Sequence, residues 1–585
     1  MVTVAKITNE AYRVRLDDRG NPIPELTCLV SARNDTAAFQ IIVQSNFQYS
    51  VNVGTAEWFS DKNARIYGKH ERIRIAVSAP FDVELNPEGW MTDNDDVQKA
   101  DVLLTQDVVE SRANVPVGIW AEIQVPADAL PGNHTVKVSV YRSFYGEDEE
   151  VVLTREIPLT VSRYVLPDPQ NWCMYLNLWQ HLSSVARHHD VRIWSDAHFK
   201  VLEEYVRSIA ALGQKSITVC AGEIPWGGQG CASNCEYPGN LFEYSIIGIV
   251  KKVDGSFAYD YSKMQRYIDL CTEAGMRGDI EIFGLVNVWQ RLIETPLCSD
   301  YPENIVLRYL DEADGCIKYL RRREEIIAYI QALEAYFKQT GQIERVRIGA
   351  DEPSDVERYS TTLTLLKEIA PAFRCSTAIL HSNFIEEFQD RIDTVEPSLS
   401  CFNREYKRLM EHKAQFPHKK LLWYVCGFGS IPNNAIINPL IDNRCIGPLT
   451  DLFGTDGFLR WNYCLYPKDP RKDIRYSSFG AGDVNFVYPS HNGSVLLSLR
   501  YKLLRRGIVD YELLHALRLH NSDEANALLH RIFFFDAQSL DAFEDYRQQI
   551  GLCVDQSRER DLISRDWNDF NSMKIQLLQR LDEIG

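Results

Sequence analysis

The chain has 585 residues, 45% of them hydrophobic and 25% charged; that is too long for one ordinary core and too apolar for a disordered chain, so two to four domains are expected. A formal net charge of −18 repels phosphate backbones and anionic lipid, which removes nucleic acid and membranes from the expected partners. The 14 cysteines lack zinc-ribbon spacing, and the first residues lack a basic stretch followed by an apolar one. The expectation is a cytoplasmic protein with reduced thiols and no metal or other cofactor.

Residues 1–165 read as an all-β domain. Short alternating runs at 38–44, 73–77, 118–125, 135–141 and 151–161 are bounded by Gly, Pro, Asn and Asp. Ile119, Ala121, Ile123 and Val125 share one face of a strand, as do Val136, Val138 and Val140, and this period of two with turns between the runs predicts a β-sandwich. Two prolines in 165–169 mark a linker.

From residue 170 the pattern changes to strand then helix, repeated. Candidate strands lie at 173–179, 216–221, 279–285, 345–350, 374–380, 398–402, 421–426 and 457–463, with helical periodicity at 197–212, 261–274, 323–337, 360–369 and 435–440. Eight strands alternating with helices predict a (β/α)8-type barrel over 170–510, with residues 511–585 as a helical C-terminal annex. No glycine-rich nucleotide loop follows a strand, which gives a nucleotide-binding fold little support. The Gly-rich stretch 224–255 reads as a long functional loop.

The strongest chemical signal is the run from Arg345 to Asp355. Val346 and Ile348 mark a buried strand, Asp351 and Glu352 follow at its carboxyl end, and Pro353 stops it. Active sites of barrels lie at that end. Acids ahead of a helix are equally favoured as caps by the helix dipole, so residues alone leave both readings open. Adjacency limits the chemistry. A conventional retaining glycosidase sets two carboxyl groups on opposite sides of the anomeric carbon, about 5–5.5 Å apart. Neighbours on one strand serve one side instead, one as acid and the other orienting a nucleophile carried by the substrate, such as a 2-acetamido group. Aromatic residues recur after the strands: Trp179, Trp226, Trp289, Tyr424, Trp461 and Tyr488, with polar neighbours Gln229, Asn433 and Asn462. Each ring suits a core; their shared position suits a cleft that stacks sugars, which makes these nine the candidate substrate-binding residues.

With these segments in view, the sequence resembles glycoside hydrolase family 123. The resemblance runs through Asn177-Leu-Trp-Gln, Ile224-Pro-Trp, Ala350-Asp-Glu-Pro, Trp423-Tyr-Val-Cys, Pro432-Asn, Asp456-Gly-Phe-Leu-Arg-Trp, Gly482-Asp and Gly507-Ile-x-Asp-Tyr, and through Pro126-Ala-Asp-Ala-Leu-Pro-Gly in the sandwich. It implies an exo-acting, retaining β-N-acetylgalactosaminidase-like enzyme with a carbohydrate substrate. Asp351 would hold the acetamido nitrogen and Glu352 would be general acid and then base, which needs Glu352 protonated while Asp351 is ionised. A glycosidase on a different sugar and a non-catalytic carbohydrate-binding protein are the competing readings. The oligomeric state is not set by the sequence.

Overall fold

The computed structural model describes residues 3–17, 22–54, 70–225, 242–286, 297–353, 355–427, 431–476, 479–542 and 562–585. The N-terminal part is two sheets sharing one core. A five-stranded sheet runs in the order Val4–Asn9, Asp35–Gln44, Val117–Val125, Val83–Thr92 and Gln98–Leu103. A six-stranded sheet runs Leu29–Arg33, Glu150–Val165, Gly132–Phe144, Glu71–Ser78, Tyr49–Asn52 and Val108–Ser111. Ile119, Ala121 and Ile123 from the first meet Val136, Val138 and Val140 from the second in the shared core, as their alternation predicts. The opposite face of the five-stranded sheet is not solvated either. Ala38, Ile42 and Trp120 pack there against Leu499 and Leu503 of a helix from the far end of the chain. Asp35–Gln44 is therefore buried almost along its whole length, as expected of a strand with two covered faces.

Eight parallel strands follow: β1 (Tyr175–Leu178), β2 (Ile217–Cys220), β3 (Ile280–Phe283), β4 (Val346–Asp351), β5 (Arg374–Ile379), β6 (Ile392–Pro397), β7 (Lys420–Tyr424) and β8 (Gly457–Arg460). They form one curled sheet, β1-β8-β7-β6-β5-β4-β3-β2. The last seam is closed by little main chain. A single parallel bridge joins Leu176 to Gln214, and side chains complete it. The Leu178 amide donates to Gln214 Oε1 at 2.9 Å, and the Thr218 amide donates to Gln180 Oε1 at 2.9 Å. β4 is the fourth strand and ends at Asp351, as the sequence predicts.

Two expectations need correction. The strand expected at 398–402 is the first turn of the helix Leu399–Gln415, capped by Ser398, whose hydroxyl accepts from the Cys401 amide. The strand there is β6, whose Asp393, Glu396 and Pro397 hide the apolar pattern. The helix expected at 435–440 begins later, as Ile441–Phe453. Glu396 lies inside the barrel. Asn177 donates through one amide nitrogen to Glu281 and Glu396, each at 2.9 Å, and Ser376 donates to Glu281 at 3.0 Å. Burial, and then the neighbouring Asp279 charge, pushes the Glu281 carboxyl up to about 7; burial and Glu281 push Glu396 well above its ordinary range. Two carboxyl groups so placed hold a proton between them near neutrality.

The helix Leu499–Arg518 runs through residue 510, where the sequence places a domain boundary, and is buried on nearly every side. It carries the cations that meet the sandwich. Arg500 pairs with Asp101 at 2.9 Å, Lys502 with Glu122 at 2.8 Å and Arg506 with Glu10 at 2.8 Å. Asp35 receives Arg505 and, from the C-terminal helix Trp567–Ile584, Lys574, each at 3.0 Å. Burial alone would raise the Glu122 carboxyl; Lys502 and Arg506 overcome it and hold the group down to about 2. A charge buried this deeply is tolerated only while paired, so the sandwich and the barrel are fastened in one register. No helix among the described residues is long and apolar enough to cross a membrane.

Candidate active site

β4 delivers Asp351 and Glu352 to the carboxyl end of the barrel. Asp351 is still in the strand, paired in register with Ala378 on β5. Glu352 leaves it: its amide donates to the Ala378 carbonyl at 3.1 Å, and its φ is +46°. A non-glycine residue held in the left-handed region costs on the order of 1–3 kcal/mol and persists where the surroundings over-determine it. Pro353 follows, and Asp355 caps the next helix, Val356–Ile369, by accepting from the Arg358 amide at 3.0 Å. Capping thus falls to Asp355. Ser354 lies outside the described residues.

The Glu352 carboxyl reaches across the barrel mouth to β7, where the Tyr424 hydroxyl donates to Oε1. Burial raises the pKa of Glu352, and the bond from Tyr424 opposes that rise. A carboxyl whose pKa is raised in this way keeps its proton to higher pH than a fully solvated one. Tyr424 also belongs to a group of buried rings with Trp179, Phe283, Trp461, Tyr476 and Phe479. Trp179 meets Phe283 edge to face at 4.7 Å, and Trp461 lies 5.0 Å from Phe479. Ala378, which receives the Glu352 amide, is in the same group, so the acid and the rings share two contacts. Gly349 is required here: a Cβ on it would lie 2.7 Å from the Phe283 ring.

Of the residues singled out in the sequence, Asp351, Glu352, Trp179, Tyr424 and Trp461 come together. Asn433 and Asn462 lie close to this end, but their amides serve main chain: Asn433 donates to the Gly427 carbonyl at 3.0 Å, and Asn462 donates to the Asp483 carbonyl. Tyr488 is not brought to the rings. Its hydroxyl donates to Asp101 at 2.6 Å, and its ring packs with Met91, Val102 and Ile436. Trp226, Gln229 and Trp289 lie outside the described residues. Phe283, Tyr476 and Phe479 were not foreseen. Phe283 reads in sequence as ordinary strand core, and the other two sit in a stretch without periodicity.

Among the described residues, four of the other acids in the segments that follow barrel strands are held by partners. Glu223 pairs with Arg308 at 3.0 Å. Glu243 accepts from the Ser183 and Ser184 amides at 2.9 and 3.2 Å. Glu303 pairs with Arg358 at 2.8 Å. Asp483 pairs with Arg460 at 2.9 Å and accepts from the Gly427 amide at 2.9 Å. Among the described residues no cluster of His, Cys, Asp and Glu is arranged to hold a metal ion.

Replacing Tyr424 by Phe gives the first test of this geometry. The hydroxyl stabilises the ionised form of Glu352, so its loss raises the pKa of Glu352 further. A reaction needing Glu352 protonated then keeps its rate to higher pH: the alkaline limb of the pH–rate profile shifts upward, while maximal turnover falls roughly three- to tenfold as the carboxyl loses a hydrogen bond that orients it. A profile unchanged in both respects would mean that Tyr424 does not govern the acid.

The model of the glycoside hydrolase 123 catalytic domain matches residues 179–517. Among solved structures, the chain is similar to a family 123 glycoside hydrolase from Clostridium perfringens, analysed for glycolipid glycan hydrolysis, with 16% sequence identity, 100% of each chain covered and a TM-score of 0.78. At that identity the likeness carries the fold. A Bacteroides ovatus GH5 xyloglucanase (8% identity, 82% of this chain and 98% of the other, TM-score 0.28) and a Dictyoglomus thermophilum β-D-glucuronidase (10%, 83% and 69%, TM-score 0.30) are too distant to carry an argument. No curated protein matches the chain.

Proposed function

The chain belongs to glycoside hydrolase family 123, a family of hydrolases of glycosidic bonds, and on that premise we propose that it is an exo-acting, retaining β-N-acetylhexosaminidase of galactosaminidase type that uses the substrate's 2-acetamido group as its nucleophile. The observation that carries this reading is the adjacency of Asp351 and Glu352 at the end of β4, with Glu352 half-buried and bonded to Tyr424. Two neighbouring acids serve one face of the bond, and the four other acids named above are held in ion pairs or on backbone amides.

In this reading Glu352 gives its proton to the glycosidic oxygen as the C1–O bond breaks. The acetamido carbonyl oxygen closes on C1 from the other face and forms an oxazolinium ion. Asp351, as a carboxylate, accepts the acetamido N–H and balances the positive charge. Water then attacks C1, Glu352 takes back a proton, and the ring opens to a product of retained configuration. Trp179, Tyr424 and Trp461 are the rings assigned to the sugar, and Trp226, Trp289 and Gln229 keep that assignment from the sequence.

A panel of nitrophenyl glycosides tests the proposal. Turnover is expected for 2-acetamido-2-deoxy-β-glycosides, fastest for the galactoside. Efficient cleavage of a plain β-galactoside or β-glucoside would move the protein to a different sugar, and no turnover of any member would favour a binding role.

A further inference from the structure

The wall of rings at the active site is held from behind by the sandwich. Strands Val83–Thr92 and Gln98–Leu103 form a hairpin at the edge of the five-stranded sheet, and its outer strand is not left open: the Leu103 amide donates to the Leu497 carbonyl at 2.9 Å. The tip is a tight turn. The Asp93 amide donates to the Val97 carbonyl and the Asp96 amide to the Asp93 carbonyl, each at 3.0 Å, and Lys99 pairs with both Asp93 and Asp95.

This rigid tip meets the chain that supplies Tyr476 and Phe479. Thr92 forms a parallel bridge with Asp473, Asp96 pairs with Arg475 at 2.6 Å, and the Asn94 side-chain oxygen accepts from the Ala481 amide at 2.6 Å. At the base of the hairpin, Asp101 binds Arg500, which donates to the carbonyls of Gly482 and Asn485 at 2.8 and 3.0 Å. The hairpin thus grips this segment on both sides of the two rings, and Phe479 in turn lies against Trp461.

We propose that Asn94 of the sandwich is a positioning residue for the active site: by holding the Ala481 amide it fixes Phe479 and Tyr476, and through them the Trp461 face offered to the sugar. The N-terminal domain is then part of the catalytic unit, not a separate module. The proposal rests on the hydrolase reading above for its kinetic arm only. Asn94 sits on a half-exposed turn, so substitutions there spare the fold. Two variants separate the acceptor from mere bulk. Asn94→Leu removes the acceptor oxygen at similar volume, and Asn94→Asp keeps one.

The experiment measures amide exchange by mass spectrometry over peptides spanning 473–488, together with steady-state hydrolysis of a nitrophenyl 2-acetamido-2-deoxy-β-galactoside by the full chain. For Asn94→Leu, faster exchange in those peptides is expected with a roughly tenfold rise in KM and kcat within about twofold, because a ring stacked on the sugar acts alike in ground and transition states. Asn94→Asp restores both. Unchanged exchange in Asn94→Leu overturns the proposal, as does faster exchange with KM unmoved. If the wild type does not hydrolyse the glycoside, the function reading fails separately, and the exchange arm still decides whether Asn94 fixes the segment.

Discussion

Glu352→Gln is expected to lower turnover of glycosides with poor leaving groups by about 10²–10⁴-fold, the usual worth of a positioned general acid. The amide is nearly isosteric and still accepts from Tyr424, so the pocket keeps its shape; it has no proton to give. Nitrophenyl glycosides, whose leaving groups depart with little help, should lose far less in the glycosylation step. The contrast between the two substrate types carries the assignment. Equal losses on both would mean that the substitution disturbs the left-handed turn at residue 352 or that another group is the acid. The raised pKa of Glu352, caused by burial, fixes the sign of the pH dependence. The acid is present below its raised pKa and is lost as pH climbs through it, so the wild-type rate falls on the alkaline side and the Gln variant lacks that limb.

Asp351→Asn has the second large effect. Its carboxylate is assigned to the acetamido N–H, where positive charge grows as the oxazolinium forms. Removing one preorganised electrostatic partner of that kind costs about 10²–10³ in kcat. An asparagine still accepts a hydrogen bond and still fits the strand, so KM is expected to move little while kcat falls. That pattern marks an interaction made mainly in the transition state. A rise in KM with kcat unchanged would make Asp351 a residue of ordinary sugar binding and would remove the reason for the acid pair.

The end of β4 is legible in sequence because three local signals agree there: Val346 and Ile348 alternate, Pro353 stops the strand, and Asp355 starts a helix. The eight-fold alternation is legible for the same reason at six further strands. It fails at β6, because a strand whose inward residue is Glu396, held by Asn177, does not carry an apolar signature. Partners across the barrel are not legible at all. Nothing near Glu352 in the chain announces Tyr424, three strands away in the sheet. Polar residues beside aromatic ones look like ligands in sequence, yet Asn433 and Asn462 satisfy main-chain carbonyls, and Tyr488 answers a buried aspartate from the sandwich. Those roles depend on how two domains dock, and docking here is written in ion pairs between residues some 300 to 500 positions apart, such as Arg500 with Asp101 and Arg506 with Glu10.

The central claim is that the nucleophile is the substrate's own acetamido oxygen, and inhibition by a thiazoline analogue of the cyclised sugar tests it most directly. An intramolecular nucleophile so held supplies a large share of the barrier, and a stable mimic of the strained intermediate captures the same contacts. The account predicts an inhibition constant at least about 10²-fold below the KM of the matching glycoside, weakened in Asp351→Asn. Inhibition no stronger than that of the free product sugar would contradict it and would leave a conventional glycosidase with its second carboxylate elsewhere in the cleft.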